Sequence, residues 1–131
     1  MRCGVKNRVW KYCRQDGYGG DDCGIRTQEL WINKYISTHR LISVDESKVF
    51  ENGTTTNRPS LQELIQKAQE QTYDILLVSA LDRLGRDFWS TMEYTKKLLR
   101  MGIRIISVND NVEITERDFD EMDNFVKSIC E

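Results

Sequence analysis

Asp74-Ile75-Leu76-Leu77-Val78-Ser79-Ala80-Leu81-Asp82-Arg83-Leu84-Gly85-Arg86-Asp87 decides how the rest of the chain is read. Its first half has the length and composition of a strand buried on both faces, and its second half is a charged turn with two arginines and two aspartates. In an open α/β sheet the loops leaving the carboxyl ends of the strands gather the ligand, and the helix that follows presents its amino terminus there. Arg83 and Arg86 are three residues apart, so in a helical turn they share a face and can hold one phosphate between them. Two arginines alone are equally a solvated charged turn.

Working outward, Val9-Trp10-Lys11-Tyr12-Cys13-Arg14 reads as the first strand, and it too ends in an arginine. Gln15 to Gly24 holds four glycines and three aspartates, a loop composition without a G-x-G-x-x-G or G-K-[ST] phosphate cradle. From Ile25 to about Thr38, Trp31/Tyr35, Ile32/Ile36 and Leu30 follow helical spacing and predict a buried stripe. Leu41-Ile42-Ser43-Val44 predicts a short second strand, and Asp45 to Asn57 a long polar loop ending at Arg58-Pro59. Ser60-Leu61-Gln62-Glu63 has the pattern of a capping box, and Leu61, Leu64, Ile65 and Ala68 give the helix behind it an apolar face.

Beyond the charged turn, Phe88, Met92, Thr95, Leu98 and Leu99 keep a helix amphipathic as far as Gly102, a natural stop. Ile103-Arg104-Ile105-Ile106-Ser107-Val108 is the fourth strand and Asn109-Asp110-Asn111 a turn. A last helix is expected from about Glu116 to Asp118 onward, with Phe119, Met122, Phe125, Val126 and Ile129 on one face. Strands alternating with helices predict an α/β fold: a mostly parallel sheet of about four strands, helices on both faces, in one domain over 1–131.

The 131 residues are 39% hydrophobic and 31% charged, enough for one core, and no apolar run approaches the ~18 residues of a membrane span. With no secretory signal at the amino terminus, the expected location is cytoplasmic. Four cysteines at 3, 13, 23 and 130 form no C-x-x-C pair and the only histidine is His39, so neither zinc nor another metal is expected. A net charge of −2 hides an asymmetry: residues 1–14 carry Arg2, Lys6, Arg8, Lys11 and Arg14 without an acid, whereas 110–131 carry eight acids. Contact with DNA would be local.

Tyr12-Cys13-Arg14, Gln28, Asn57-Arg58-Pro59-Ser60-Leu61 and Leu81-Asp82-Arg83-Leu84-Gly85-Arg86, in this order and spacing, resemble the catalytic domain of serine recombinases, the resolvase/invertase family. The resemblance covers residues 8 to 131, and Arg86-Asp87 with Ile106-Ser107-Val108-Asn109-Asp110 suggests the large-recombinase branch found in mobile elements. It implies site-specific DNA recombination. In the family a serine attacks the scissile phosphate while arginines neutralise the growing charge, with no cofactor. Carried over by motif, Arg14, Arg58, Arg83 and Arg86 would grip the phosphate, Asp82 would position an arginine or relay a proton, and Gln28 would support the loop.

The resemblance also implies DNA as a partner and a dimer or tetramer built through the final helix. The family's DNA-binding region, into which that helix runs, is not expected within this chain. The sequence departs from the family pattern Y-x-R-x-S at its last position, reading Tyr12-Cys13-Arg14-Gln15-Asp16, with no serine before Ser37. Thr27 and Thr54 to Thr56 are poor substitutes by position, and a carboxylate at Asp16 would add negative charge beside a phosphate. The expectation is therefore a recombinase domain defective in catalysis. The alternatives are a non-catalytic oligomerisation or regulatory module partnering an active recombinase and, less favoured, a small phosphate-binding α/β enzyme.

Overall fold

The computed structural model describes residues 6–15, 23–50, 59–80 and 88–117. Within them the chain forms β1 (Arg8–Gln15), α1 (Cys23–Thr38), β2 (Ile42–Phe50), α2 (Pro59–Gln69), β3 (Ile75–Val78), α3 (Phe88–Arg100), β4 (Arg104–Ser107) and β5 (Val112–Ile114). The strands make one sheet in the order β2-β1-β3-β4-β5. β1 pairs in parallel with both β2 and β3, β3 pairs in parallel with β4, and β5 lies antiparallel to β4. The chain thus starts in the interior of the sheet, builds one side, then crosses to build the other, which places the topological switch between β1 and β3.

Alternation along the strands divides the core in two, as a period of two residues requires. Trp10 and Tyr12 of β1, Leu76 and Val78 of β3 and Ile105 of β4 pack with Leu61, Leu64 and Ala68 of α2 and Leu98 of α3. Val9 and Cys13, Ile75 and Leu77, and Ile106 pack on the opposite face with Ile25 and Ile32 of α1. All four residues of β3 are buried, the burial pattern of a central parallel strand. Among the described residues no helix is long and apolar enough to cross a membrane.

Four sequence expectations need correction. β2 runs from Ile42 to Phe50, through the stretch read as loop, and pairs with β1 along its whole length, with a register shift between Val9 and Trp10. Its polar residues mislead because β2 is an edge strand in which only Ser47 is buried. β5 makes a fifth strand where four were expected; its three residues are short and mostly exposed, and the bidentate pair of Arg104 with Glu113, at 3.0 and 2.8 Å, ties it to β4. Of the stripe expected on α1, Ile32 is buried but Leu30 and Trp31 are 72% and 46% exposed. At about 100° per residue, Leu30 cannot face the sheet when Ile32 does. Finally, α2 begins at Pro59, so Ser60 lies inside its first turn rather than capping it. Glu116 and Arg117, where the last helix is expected to start, are helical, and Phe119, Met122, Phe125, Val126 and Ile129 lie outside the described residues.

The helices α1, α2 and α3 end in the same way. At α3, Ile103 N–H donates to Leu98 O and Gly102 N–H to Leu99 O, with Gly102 at φ +89°. This is a Schellman end, and Ile103 joins Leu98 in the core. Leu41 N–H to Ile36 O closes α1 with Arg40 at φ 55°, and Thr72 N–H to Lys67 O closes α2 with Gln71 at φ 58°. Replacing Gln71 with glycine should raise stability by about 0.5–1 kcal/mol, and Gly102→Ala should cost about 1 kcal/mol, because only glycine adopts that backbone without strain. Urea denaturation of the two variants checks both signs.

At the same edge of the sheet, where these helices lead into the strands, Arg8 and Asp74 lock the starts of β1 and β3. The guanidinium donates to both carboxylate oxygens at 2.9 Å, Arg8 N–H adds a third bond at 3.1 Å, and Asp74 N–H returns one to Arg8 O. These bonds from Arg8 hold the Asp74 carboxyl below its ordinary range against the opposing effect of burial. A depressed folded pKa contributes stability above the unfolded value of about 4, and that contribution is lost as pH falls through the folded value. Asp74→Ala should therefore lower stability by about 1–2 kcal/mol at neutral pH, allowing for the exposure of Arg8, and flatten the acid limb of a stability–pH profile.

Candidate functional site

The parallel strands bring the carboxyl ends of β1, β2, β3 and β4 to one edge, and the starts of α1, α2 and α3 return there. Of the expected site residues, Arg14 and Gln28 are described. Asp16, Arg58, Asp82, Arg83 and Arg86 lie outside the described residues, as do Thr54 to Thr56. Their flanks are the end of β1 at Gln15, the start of α2 at Pro59, and Ala80 and Phe88 on either side of the charged turn.

Arg14 is the penultimate residue of β1 and is only 1% exposed. Pairing of β1 with β3 ends at Tyr12↔Val78, two residues earlier. Beyond that point the side-chain amide of Gln28, buried on the inner face of α1, serves Arg14 as a neighbouring strand would. Arg14 N–H donates to Gln28 Oε1 at 3.1 Å, and Gln28 Nε2 donates to Arg14 O at 2.9 Å. One amide thereby satisfies both main-chain groups and fixes the backbone from which the guanidinium departs. Gln28 thus braces the end of the strand itself.

The two residues before Arg14 point to opposite faces. Cys13 is buried with Ile25 and Ile32 of α1, and its thiol is pushed up to about 11, chiefly by burial and further by the charge of Glu29. At neutral pH it is a protonated core group and a poor nucleophile. Tyr12 faces α2, where its hydroxyl lies 2.9 Å from Ser60 Oγ, both side chains being buried. Thr27, next to Gln28, is exposed on α1.

A set of charges braces β1 and β2 against α1. Lys11 Nζ lies 3.5 Å from Glu29 and 3.2 Å from Glu46, and Lys48 Nζ lies 3.0 Å from Glu29 and 3.5 Å from Glu46. Burial pushes the Glu46 carboxyl upward, but the hydrogen bond from Lys11 and the charges of Lys11 and Lys48 hold it below its ordinary range. Lys48 is raised, first by its bond to Glu29. The strand register that pairs Lys11 with Glu46 becomes visible only once β2 is known to continue past Val44. The Tyr12–Ser60 pair likewise escapes a reading that makes Ser60 a helix cap. Among the described residues no group of His, Cys, Asp and Glu could hold a metal.

A family model described as "Resolvase, N terminal domain" matches residues 11–130. Among solved structures, the chain is similar to the N-terminal catalytic domain of TP901-1 integrase, with TM-score 0.76 and 22% identity over 93% of this chain and 98% of that one. It is also similar to the C-terminal catalytic domain of ISC1926 TnpA, an IS607-like serine recombinase, with TM-score 0.67 and 23% identity over 77% of this chain and 70% of that one. A resolvase-family site-specific recombinase from Streptococcus pneumoniae aligns with TM-score 0.68 and 14% identity, over 96% of this chain and 100% of that one. At these identities the likeness is one of fold. No curated protein sequence matches the chain.

The Gln28 clamp makes a direct prediction. Gln28→Ala should destabilise by about 1–3 kcal/mol, since it strips the Arg14 amide and carbonyl of these partners inside the core. Amide hydrogen exchange at Arg14 should accelerate by more than the global loss of stability explains; equal changes would mean that the clamp is not local.

Proposed function

The chain belongs to the resolvase N-terminal domain family, and from that premise we propose that it is a serine-recombinase domain of a mobile element that engages DNA phosphates but does not cleave DNA. Arg14, Arg58, Arg83 and Arg86 grip the phosphate, Asp82 orients one of these arginines, and Gln28 holds Arg14 in place. Asp16 stands where the family's serine is expected. Its partners are DNA and further recombinase subunits, contacted through Phe119, Met122, Phe125, Val126 and Ile129 of the expected final helix. That assignment makes the domain an assembly or regulatory partner of an active recombinase.

The observation that carries this reading is the lack of a usable nucleophile on the described part of the strand that carries Arg14. A nucleophile needs an ionisable or base-activated oxygen or sulfur free to reach the phosphorus. The Tyr12 hydroxyl is buried against Ser60, and the Cys13 thiol is turned into the core on the other face with its pKa raised to about 11. The sequence then continues Gln15-Asp16, with no serine before Ser37.

The experiment is a covalent-trapping assay on a nicked DNA duplex, resolved on a denaturing gel. The natural chain should give no protein–DNA adduct, and Asp16→Ser, which supplies the hydroxyl at the family's position, should give one that depends on Arg14. An adduct with the natural chain would overturn the silent-site reading and direct the search for the nucleophile to Thr27 and Thr54 to Thr56.

A further inference from the structure

The charges that brace β1 and β2 against α1 share a helical turn with the Gln28 clamp. Glu29 directly follows Gln28 on α1. Its carboxylate lies 3.0 Å from Lys48 Nζ of β2 and 3.5 Å from Lys11 Nζ of β1. Lys11 also reaches Glu46 at 3.2 Å and donates at 3.1 Å to Asn33 Oδ1, one helical turn beyond Glu29. On the strands, Lys11 precedes Arg14 on β1, and Lys48 pairs in register with Cys13, the residue before Arg14. α1 is therefore fastened to one strand at two levels, by Lys11 to Glu29 and Asn33 and by the Arg14 main chain to Gln28.

The clamp makes demands that apolar packing does not meet. Ile25 and Ile32 keep α1 on the sheet, but burial of apolar surface is non-directional. The two bonds of Gln28 to Arg14 are 3.1 and 2.9 Å long, and a shift of about 0.5 Å takes such bonds out of range. Adjacent residues on a helix point about 100° apart. A Glu29 carboxylate pinned to both strands therefore fixes the rotation and height of α1, and with them the angle at which Gln28 meets Arg14. The side chains of Lys11 and Glu29 are only 12% and 23% exposed, so salt screens this contact less than a surface pair. We propose that Glu29, held by Lys11 and Lys48, is a positioning residue that keeps Gln28 seated on the Arg14 main chain and so holds Arg14 in place for a DNA phosphate. This inference rests on the phosphate-gripping reading above. It assigns Glu29 no contact with DNA.

The test compares the natural chain with Glu29→Gln, Gln28→Ala, the double variant Gln28→Ala/Glu29→Gln, and Arg14→Gln. Urea stability and affinity toward a short fluorescent DNA duplex are measured for all of them, and amide hydrogen exchange at Arg14 for those that retain it. Glu29→Gln keeps the shape of the side chain and removes its charge. It should speed exchange at Arg14 by about three- to fivefold beyond what the change in global stability explains, and weaken DNA binding by a similar factor. Electrostatics alone gives the opposite sign, because removing an acid lessens the repulsion of DNA phosphates. In the Gln28→Ala background the same substitution should neither speed exchange nor weaken binding, since its effect passes through the clamp. Exchange at Arg14 that follows global stability in Glu29→Gln would overturn the inference. So would DNA binding that is unchanged or tighter in that variant while Arg14→Gln binds weakly, or an effect of Glu29→Gln that persists at full size without Gln28. If the natural chain and Arg14→Gln bind DNA equally, or neither binds, the phosphate-gripping reading fails and the inference falls with it.

Discussion

The fold depends on the confinement of β1. It is hydrogen-bonded on one edge to β2 along its full length and on the other to β3, while Trp10 and Tyr12 are packed under α2 and α3 and Val9 and Cys13 under α1. A strand held on four sides cannot slip by one residue without turning each core side chain to the wrong face. Arg14 therefore inherits its position from the core. Gln28 extends that confinement past the last β1–β3 pair, at the point where an unsupported backbone would begin to fray. At the other end of the same strands, the fork of Arg8 on Asp74 holds the starts of β1 and β3 together.

Much of this was legible in the residues because the central elements obey simple periods. Ile75 to Val78 is apolar without interruption, as a strand buried on both faces must be, and Gly102 marks the end of α3 because glycine advertises a left-handed backbone. What escaped the reading escaped for physical reasons. Arg40 and Gln71 take the same backbone conformation as Gly102, but neither residue type signals it. The second half of β2, from Asp45, looks like a loop because an edge strand can satisfy Glu46 and Lys48 with Lys11 and Glu29. Leu30 and Trp31 read as core residues because they are apolar, although the helical angle that buries Ile32 turns Leu30 outward. Of the candidate site, Arg14 and Gln28 are described, on β1 and α1; its remaining residues lie outside the described residues, and their motifs are read from sequence.

The site also shows how structural and chemical requirements separate along a few residues. Tyr12, Cys13 and Arg14 are adjacent, yet one hydroxyl is spent on Ser60, one thiol is spent on the α1 core, and only the guanidinium suits an anion. Each of the first two groups loses reactivity through the same burial that makes the strand rigid. In the proposed reading a nucleophile would have to follow Gln15, the last residue of the strand. In this sequence the residue that follows is Asp16.

An aspartate in that position changes the electrostatics in a way that a missing hydroxyl alone would not. Serine is neutral and leaves the charge of the arginines for the incoming phosphate, whereas a carboxylate close to a guanidinium, or to a bound phosphate, interacts with it by about 4 kcal/mol at ~4 Å and an effective dielectric of ~20. In the proposed reading the acid opposes DNA while stabilising the arginines when no DNA is present. Such a site holds a phosphate more weakly than its count of arginines suggests, and its occupancy rests on how rigidly those arginines are spaced. Among the described residues the Gln28 clamp supplies that rigidity at Arg14 alone, through bonds at 3.1 and 2.9 Å to its main chain.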